Sequence, residues 1–415
     1  MAKTKLSPTP LFPILNSHPG PRLLGIARLA AESTHTDDGH LIDFRSLQPR
    51  TILNRSVSRR NLRHTWSINP FRGCEFGCKY CFARYTHEFL QPAPITTPPK
   101  GTYDIPQQPW ALAFEHEIYL KENAAWLLEQ ELRTLAPRIA ENKEEIAIGT
   151  ATDPYQPIER RVGITRSILE VLARQQGLRI GIITKSSLIT RDIDLLLEIA
   201  AHNKLAIHIT ITTTDAALAR KLEPRAPRPD LRFAALRKLC IAGLNAGVLC
   251  SPLLPGINDS IASIDAVAAR AAAAGACFLG ANPLFLKSCS RPTFLNFIRE
   301  HLPHLADDYN RRYATADFVD PTYRNRLASI TRQICRKHHL GERNSDSYLI
   351  RDTYIPQPIP KSKPEKSPTN SATNRTTNRP TENSLTRPST EISPTRKPPT
   401  PARAPSPQAN LFATG

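Results

Sequence analysis

The chain has 415 residues, 40% of them hydrophobic, and a formal net charge of +18 from 55 Lys and Arg against 37 Asp and Glu. That length holds one large domain or two ordinary ones, and the charge favours a polyanionic partner, because neutralising phosphates releases counterions. With no apolar run near the roughly 20 residues that cross a bilayer, and no charged-then-apolar leader, the expectation is a cytoplasmic protein without membrane attachment.

Residues 1–60 are Pro-rich and read as an irregular segment with one short helix over Arg22–Glu32. From Thr65 to Gly280, short β-branched runs alternate with longer stretches whose apolar residues recur at spacings of three and four, which is the pattern of parallel β/α units. Strands are predicted at Thr65–Asn69, Glu145–Thr150, Arg179–Thr184, Ala206–Thr212, Gly247–Pro252 and Cys277–Asn282. Gly177, Asn203 and Gly243 mark the ends of the helices before the third, fourth and fifth of these. Residues 61–290 form the catalytic unit in this reading, and 291–350 a helical extension. Residues 351–415 are a basic tail rich in Pro, Ser and Thr, too poor in large apolar side chains to offset the entropy of ordering, and are expected to be disordered. Part of the positive charge lies there, for Lys361, Lys363, Lys366, Arg375, Arg379, Arg387, Arg396, Lys397 and Arg403 face only Glu365, Glu382 and Glu391.

Right-handed connections between parallel strands make an open sheet or a barrel, complete or partial, and in each the active site gathers on loops just past the strand ends. Past the first strand comes INPFRGCEFGCKYCFARYTHEF. Cys74, Cys78 and Cys81 are spaced by three and then two residues, with Gly73 and Gly77 free to turn the backbone inward. In a reducing compartment the eight cysteines are thiols or metal ligands rather than disulfides, and three on one loop suit a metal. A structural zinc would want a fourth ligand, for which His87 is nearest. A 4Fe-4S cubane normally takes four cysteines, so three leave one iron open. Clustering of three merely structural cysteines is the remaining reading.

The C-x3-C-x2-C loop, with Tyr80 before its last cysteine, resembles the signature of the radical S-adenosylmethionine superfamily. The phrases NPFRGCEFGCKYCFAR, GTATDPYQPIE, ITKSSLITRDIDLL, ITTTD, LEPRAP and LLPGIND are similar to the branch related to spore photoproduct lyase, often labelled DNA repair photolyases. This resemblance, over Thr65 to Leu286, implies an α/β fold built as a partial (β/α)6 barrel of parallel strands. It also implies a 4Fe-4S cluster on Cys74, Cys78 and Cys81, S-adenosyl-L-methionine as second cofactor, and a one-electron reductant of flavodoxin or ferredoxin type. The expected product is a 5′-deoxyadenosyl radical that abstracts hydrogen from substrate.

By the same resemblance, Gly149, Thr150, Thr152 and Asp153 stand where the superfamily holds the methionine amino group, although Asp153-Pro154 is also a turn signal. Lys185 stands where this branch meets the methionine carboxylate, and Thr212 offers a hydroxyl to that carboxylate or to the ribose. Tyr80 is expected near the adenine, or as a core aromatic under the loop. Pro255, Gly256 and Asn258 are candidates for shaping the cofactor pocket. His87, Glu88, Glu223 and Arg225 read more simply as surface or local ion-pair residues. Cys240, Cys250 and Cys277 read as small core residues, with Cys289 better placed to meet substrate.

One departure concerns the reaction. Spore photoproduct lyases keep a cysteine near the second strand that returns hydrogen to the product radical, and EEIAIGTATDPYQ holds none. Three functions follow as alternatives: a radical enzyme acting on nucleic acid or a nucleotide, one acting on a protein or small metabolite, and a zinc-stabilised nucleic-acid-binding module.

Overall fold

The computed structural model describes residues 25–26, 35–36, 42–56, 65–90 and 107–342. The tail at 351–415 and most of the helix expected over Arg22–Glu32 lie outside these residues. Six parallel strands run in chain order across one sheet: Thr65–Ile68, Glu145–Ile148, Arg179–Thr184, Lys204–Thr210, Ala246–Leu253 and Phe278–Pro283. They are called the first to the sixth strand below. Each overlaps its predicted counterpart, because strands covered on both faces read as nearly continuous apolar runs. Glu145–Ile148 is buried at every position.

Asn54–Ser56 pairs antiparallel with the first strand, and Gly341–Glu342 pairs parallel with the sixth. Among the described residues these two edges do not pair with each other, so the curved sheet stays open on one side. The segment expected to be irregular therefore contributes strands at His35–Thr36, Asp43–Ser46 and Asn54–Ser56. Asp43–Ser46 joins a second sheet by pairing with Glu117–Leu120, which also pairs antiparallel with Phe71–Arg72. That short pair delivers the chain into the cysteine loop.

Helices Ala124–Glu141, Ile164–Ala173, Ile193–His202, Pro229–Ile241 and Ile261–Ala273 connect the strands, and Arg291–His301, Ala306–Arg312 and Pro321–Lys337 make the helical extension. The predicted helix ends differ in mechanism. Gly177 and Gly243 take left-handed φ of 75° and 87°, as helix-terminating glycines do. Asn203 stays extended and caps with its side chain instead, Nδ2 donating to the carbonyls of Gln175 and Ile199.

Candidate active site

The cysteine loop is held from every side by backbone bonds. The Cys74 amide donates to the Phe114 carbonyl at 2.9 Å, and the Lys79 amide to that of Leu222 at 2.9 Å. Gln156 bridges the loop, accepting from the Glu75 amide at 2.8 Å and donating to the Gly73 carbonyl at 3.3 Å. The Glu75 carboxylate in turn accepts from the Ile158 amide at 2.7 Å. Arg84, fully buried, donates to the Cys78 carbonyl at 3.3 Å, and the Ser290 hydroxyl to that of Cys81 at 2.7 Å. Gly73 has φ of 86°, and a Cβ there would lie 2.5 Å from the Glu117 carbonyl oxygen. A side chain at that position would push the loop off its strand.

Cys74 and Cys78 are buried and Cys81 half-buried, all as free thiols. Burial pushes the Cys74 thiol well up, and charge on Cys78 and Cys81 would push it further. The Cys78 thiol goes up to about 12, mainly by burial, while Lys185 and Arg232 act the other way. The three thiols share one short loop, and taking the protons off the buried Cys74 and Cys78 requires a cationic partner. Bound iron is such a partner, so this donor set fits a cluster. Among the described residues no three His, Cys, Asp or Glu are gathered tightly enough to hold a single metal ion. His87, the zinc alternative's fourth ligand, packs edge-on to Phe114 and Tyr119 with Nε2 3.1 Å from the Glu117 carbonyl oxygen. Burial pushes it down to about 3, so the ring is neutral.

The loop after the second strand lies beside this one. Gly149 has φ of 88°, and a Cβ there would sit 2.4 Å from the Ile183 carbonyl oxygen. Asn69, at the end of the first strand, accepts from the amides of Ala151 at 2.8 Å and Thr152 at 3.3 Å and donates to the Thr150 hydroxyl at 3.2 Å. Thr152 donates to the Phe71 carbonyl at 3.4 Å. The Asp153 carboxylate accepts from the Thr184 hydroxyl at 2.6 Å and the amides of Lys185 at 2.7 Å and Tyr155 at 2.9 Å. Its burial nevertheless pushes the carboxyl above the usual range. Of the two roles weighed for this stretch, the geometry displays the turn: Asp153 builds it, and Asn69 and Phe71 fix Thr150 and Thr152 within it.

Lys185 extends its ammonium over the Tyr80 ring, 5.7 Å from the centroid. Burial works against that charge, but Cys78, Glu223 and Asp153 hold it above the ordinary lysine range. Tyr80 is buried, and its hydroxyl donates to Glu223 Oε1. The same oxygen lies 3.3 Å from the Thr212 hydroxyl, and Glu223 Oε2 meets the buried Arg232 guanidinium at 2.5 Å. Arg232 is fixed by the carbonyls of Pro227 at 2.7 Å and Thr210 at 3.1 Å. Tyr80 and Thr212 thus spend their hydroxyls on Glu223, and Tyr80 takes the place of the core aromatic under the loop. Against burial, Arg232, Lys185 and Tyr80 hold the Glu223 carboxyl below its usual range.

The sequence reads Glu223 as a surface ion-pair residue, and the structure corrects this, since it is fully buried and its partner is Arg232 rather than Arg225. Arg225 clamps the cysteine loop, with Nε on the Glu75 carbonyl and its guanidinium against Gly77. Asn258 braces the fourth-strand end, donating to the Thr212 carbonyl at 2.8 Å. Cys289 is buried beside Trp110, its Sγ 3.6 Å from the Ser290 hydroxyl. Asn69, Gln156 and Arg232 escaped the sequence reading. Asn69 alone carried a usable signal, lying just past a strand end.

The chain matches the Radical SAM superfamily over residues 68–266. An uncharacterised protein of Mycobacterium tuberculosis is 30% identical over 323 residues, covering 78% of this chain and 88% of its own length. An uncharacterised protein of Methanocaldococcus jannaschii is 27% identical over 192 residues, 46% of this chain and 61% of its own. Among solved structures, a cysteine-to-serine mutant of spore photoproduct lyase superposes with a TM-score of 0.51 at 17% identity, covering 72% of this chain and 80% of that one. A spore photoproduct lyase complexed with dinucleoside spore photoproduct gives 0.50 at 14% identity, with the same coverage. With its parallel open sheet and the cysteine loop after the first strand, the chain belongs to the radical SAM superfamily of enzymes, whose cofactors are a 4Fe-4S cluster and S-adenosylmethionine, and it shares its fold with spore photoproduct lyase.

Proposed function

We propose that Cys74, Cys78 and Cys81 hold the cluster with one iron left to S-adenosylmethionine, and that the chain directs the radical at a nucleic acid or nucleotide. The observation that carries this is one short loop bearing three free thiols, two of them buried, with the Lys185 ammonium 5.7 Å from the ring of Tyr80 on the same loop. When bound and reduced by a flavodoxin- or ferredoxin-type donor, the cluster and S-adenosylmethionine supply a 5′-deoxyadenosyl radical that takes hydrogen from substrate.

The protein's own residues divide the remaining work. Lys185 offers the charge for the methionine carboxylate, where a charge-assisted bond is strong. Asp153 is occupied in holding the turn, which leaves the backbone carbonyls of Thr150 and Thr152 for the methionine amino group. Tyr80 and Thr212 act as positioning residues through Glu223, keeping the cysteine loop and the fourth-strand loop in register. Because no thiol lies in the second-strand loop, efficient repair of spore photoproduct is not expected, and the product radical needs another hydrogen donor. Cys289, packed against the cysteine loop, is the candidate.

Support for a nucleic-acid substrate comes from the +18 charge and from the fold shared with a lyase solved with a lesion dinucleoside. The test is deuterium transfer. Anaerobically reconstituted protein with labelled oligonucleotide should form 5′-deoxyadenosine enriched in deuterium. Enrichment from labelled peptide or metabolite, with none from any nucleic acid, would contradict the substrate class.

A further inference from the structure

A cleft of about 780 Å³ opens beside the cysteine loop, walled by the second-strand loop, the strand ends at Asn69 and Lys121, and the helical turn Phe82–Leu90. Its charge is one-sided. Arg50, Arg72 and Lys121 line it, and no Asp or Glu is among its lining residues. Lys121 is buried and its ammonium has the Asn69 carbonyl as partner, at 2.7 Å. Arg72 donates to the Thr86 carbonyl. Among the described residues neither cation is paired with a carboxylate, and burial, with the charge of Arg72 adding to it, pushes Lys121 down to about 7.

Burying a cation such as Lys121 without a counter-charge is costly, and a second cation beside it, the half-buried Arg72, adds to the cost. Such an arrangement persists where an anion completes it. The opposite lip is aromatic. Phe89 is 56% exposed and meets Tyr85 in a T-shaped contact at 6.3 Å between centroids. Clustered cations with an exposed aromatic ring are what a nucleic-acid strand uses, the phosphate on the cations and a base on the ring. A lone carboxylate would leave most of this charge unanswered and the ring unused.

We propose that this cleft seats a phosphodiester of a single nucleic-acid strand on Arg72, Lys121 and Arg50, with the adjoining base stacked on Phe89. This rests on the nucleic-acid reading above and names where on the chain the strand lies. Arg72 is two residues from Cys74, and Thr150 to Thr152 form the facing wall, so a strand seated here passes the site where the radical arises.

The test is fluorescence anisotropy of a labelled short single-stranded oligonucleotide on full-length, reconstituted protein across a range of salt. Lys121→Gln should weaken binding by roughly tenfold or more and reduce the salt slope by about 0.7 for one lost phosphate contact. Arg50→Gln should lower the slope likewise, and Phe89→Ala should weaken binding about tenfold with the slope unchanged. Lys238→Gln, on the exposed side of helix Pro229–Ile241, is the control for diffuse attraction. If the cleft variants weaken binding no more than Lys238→Gln, the cleft assignment falls while the nucleic-acid reading stands. If no oligonucleotide binds, both fall. Loss of S-adenosylmethionine affinity with oligonucleotide binding retained would give the cleft to the cofactor and overturn the proposal.

Discussion

At the scale of the residue, Lys121 shows how a binding surface and a stable fold pull apart. Its folded-state proton is held less tightly than in the unfolded chain, about 7 against 10.5. The unfolded chain therefore binds more protons between those values, and the destabilisation is fully present below pH 7 and fades as pH rises toward 10.5. Lys121→Met should raise stability on the order of 2 kcal/mol at pH 7, through removal of a desolvated charge, and the gain should shrink toward pH 10. Thermal melts of variant and parent at both pH values check this. A variant less stable than the parent at pH 7 would show that the Asn69 carbonyl fully compensates the ammonium. That the three cysteines, Lys185 and the second-strand stretch lie just past strand ends was legible because spacing and strand ends are local signals, whereas the roles proposed for them come from the resemblance. Lys121 was not legible, since nothing in its neighbourhood in sequence shows that Arg72, far back along the chain, faces it.

At the scale of the element, the cysteine loop is a shared product of several segments. Glu223 ties together Tyr80 on that loop, Thr212 beyond the fourth strand, and Arg232 on helix Pro229–Ile241. The sequence reading placed all six strands, because burial on both faces writes itself as apolar runs. It missed this junction because a Glu-Pro-Arg turn offers Arg225 as the obvious partner, and only the helix geometry selects Arg232. Breaking one side of a buried pair strands the other charge, so Glu223→Ala should cost about 3–5 kcal/mol. Glu223→Gln, which keeps the shape and one acceptor oxygen, should cost less. Denaturant unfolding of the two variants measures the difference, and equal losses below about 1 kcal/mol would mean that the pair does not hold the elements together.

At the scale of the molecule, an open parallel sheet turns its strand-end loops toward one mouth, and those loops bear the thiols and the Lys185 ammonium together, while the second sheet adds Arg72 and Lys121 of the cationic cleft at the side of the cysteine loop. That coincidence follows from right-handed β/α connections, which place every strand end on the same side. The irregular N-terminal reading failed at this scale, since Asp43–Ser46 and Asn54–Ser56 find their partners only after the rest of the sheets exist. The central claim is that the loop after the first strand holds the cluster. Its most direct measurement is iron content and electron paramagnetic resonance of the reduced, anaerobically reconstituted protein, compared with a variant in which Cys74, Cys78 and Cys81 are all Ala. The account predicts about four irons per chain and a signal that changes when S-adenosylmethionine is added, with both lost in the triple variant. A triple variant that still reconstitutes with the same iron and the same signal would contradict it.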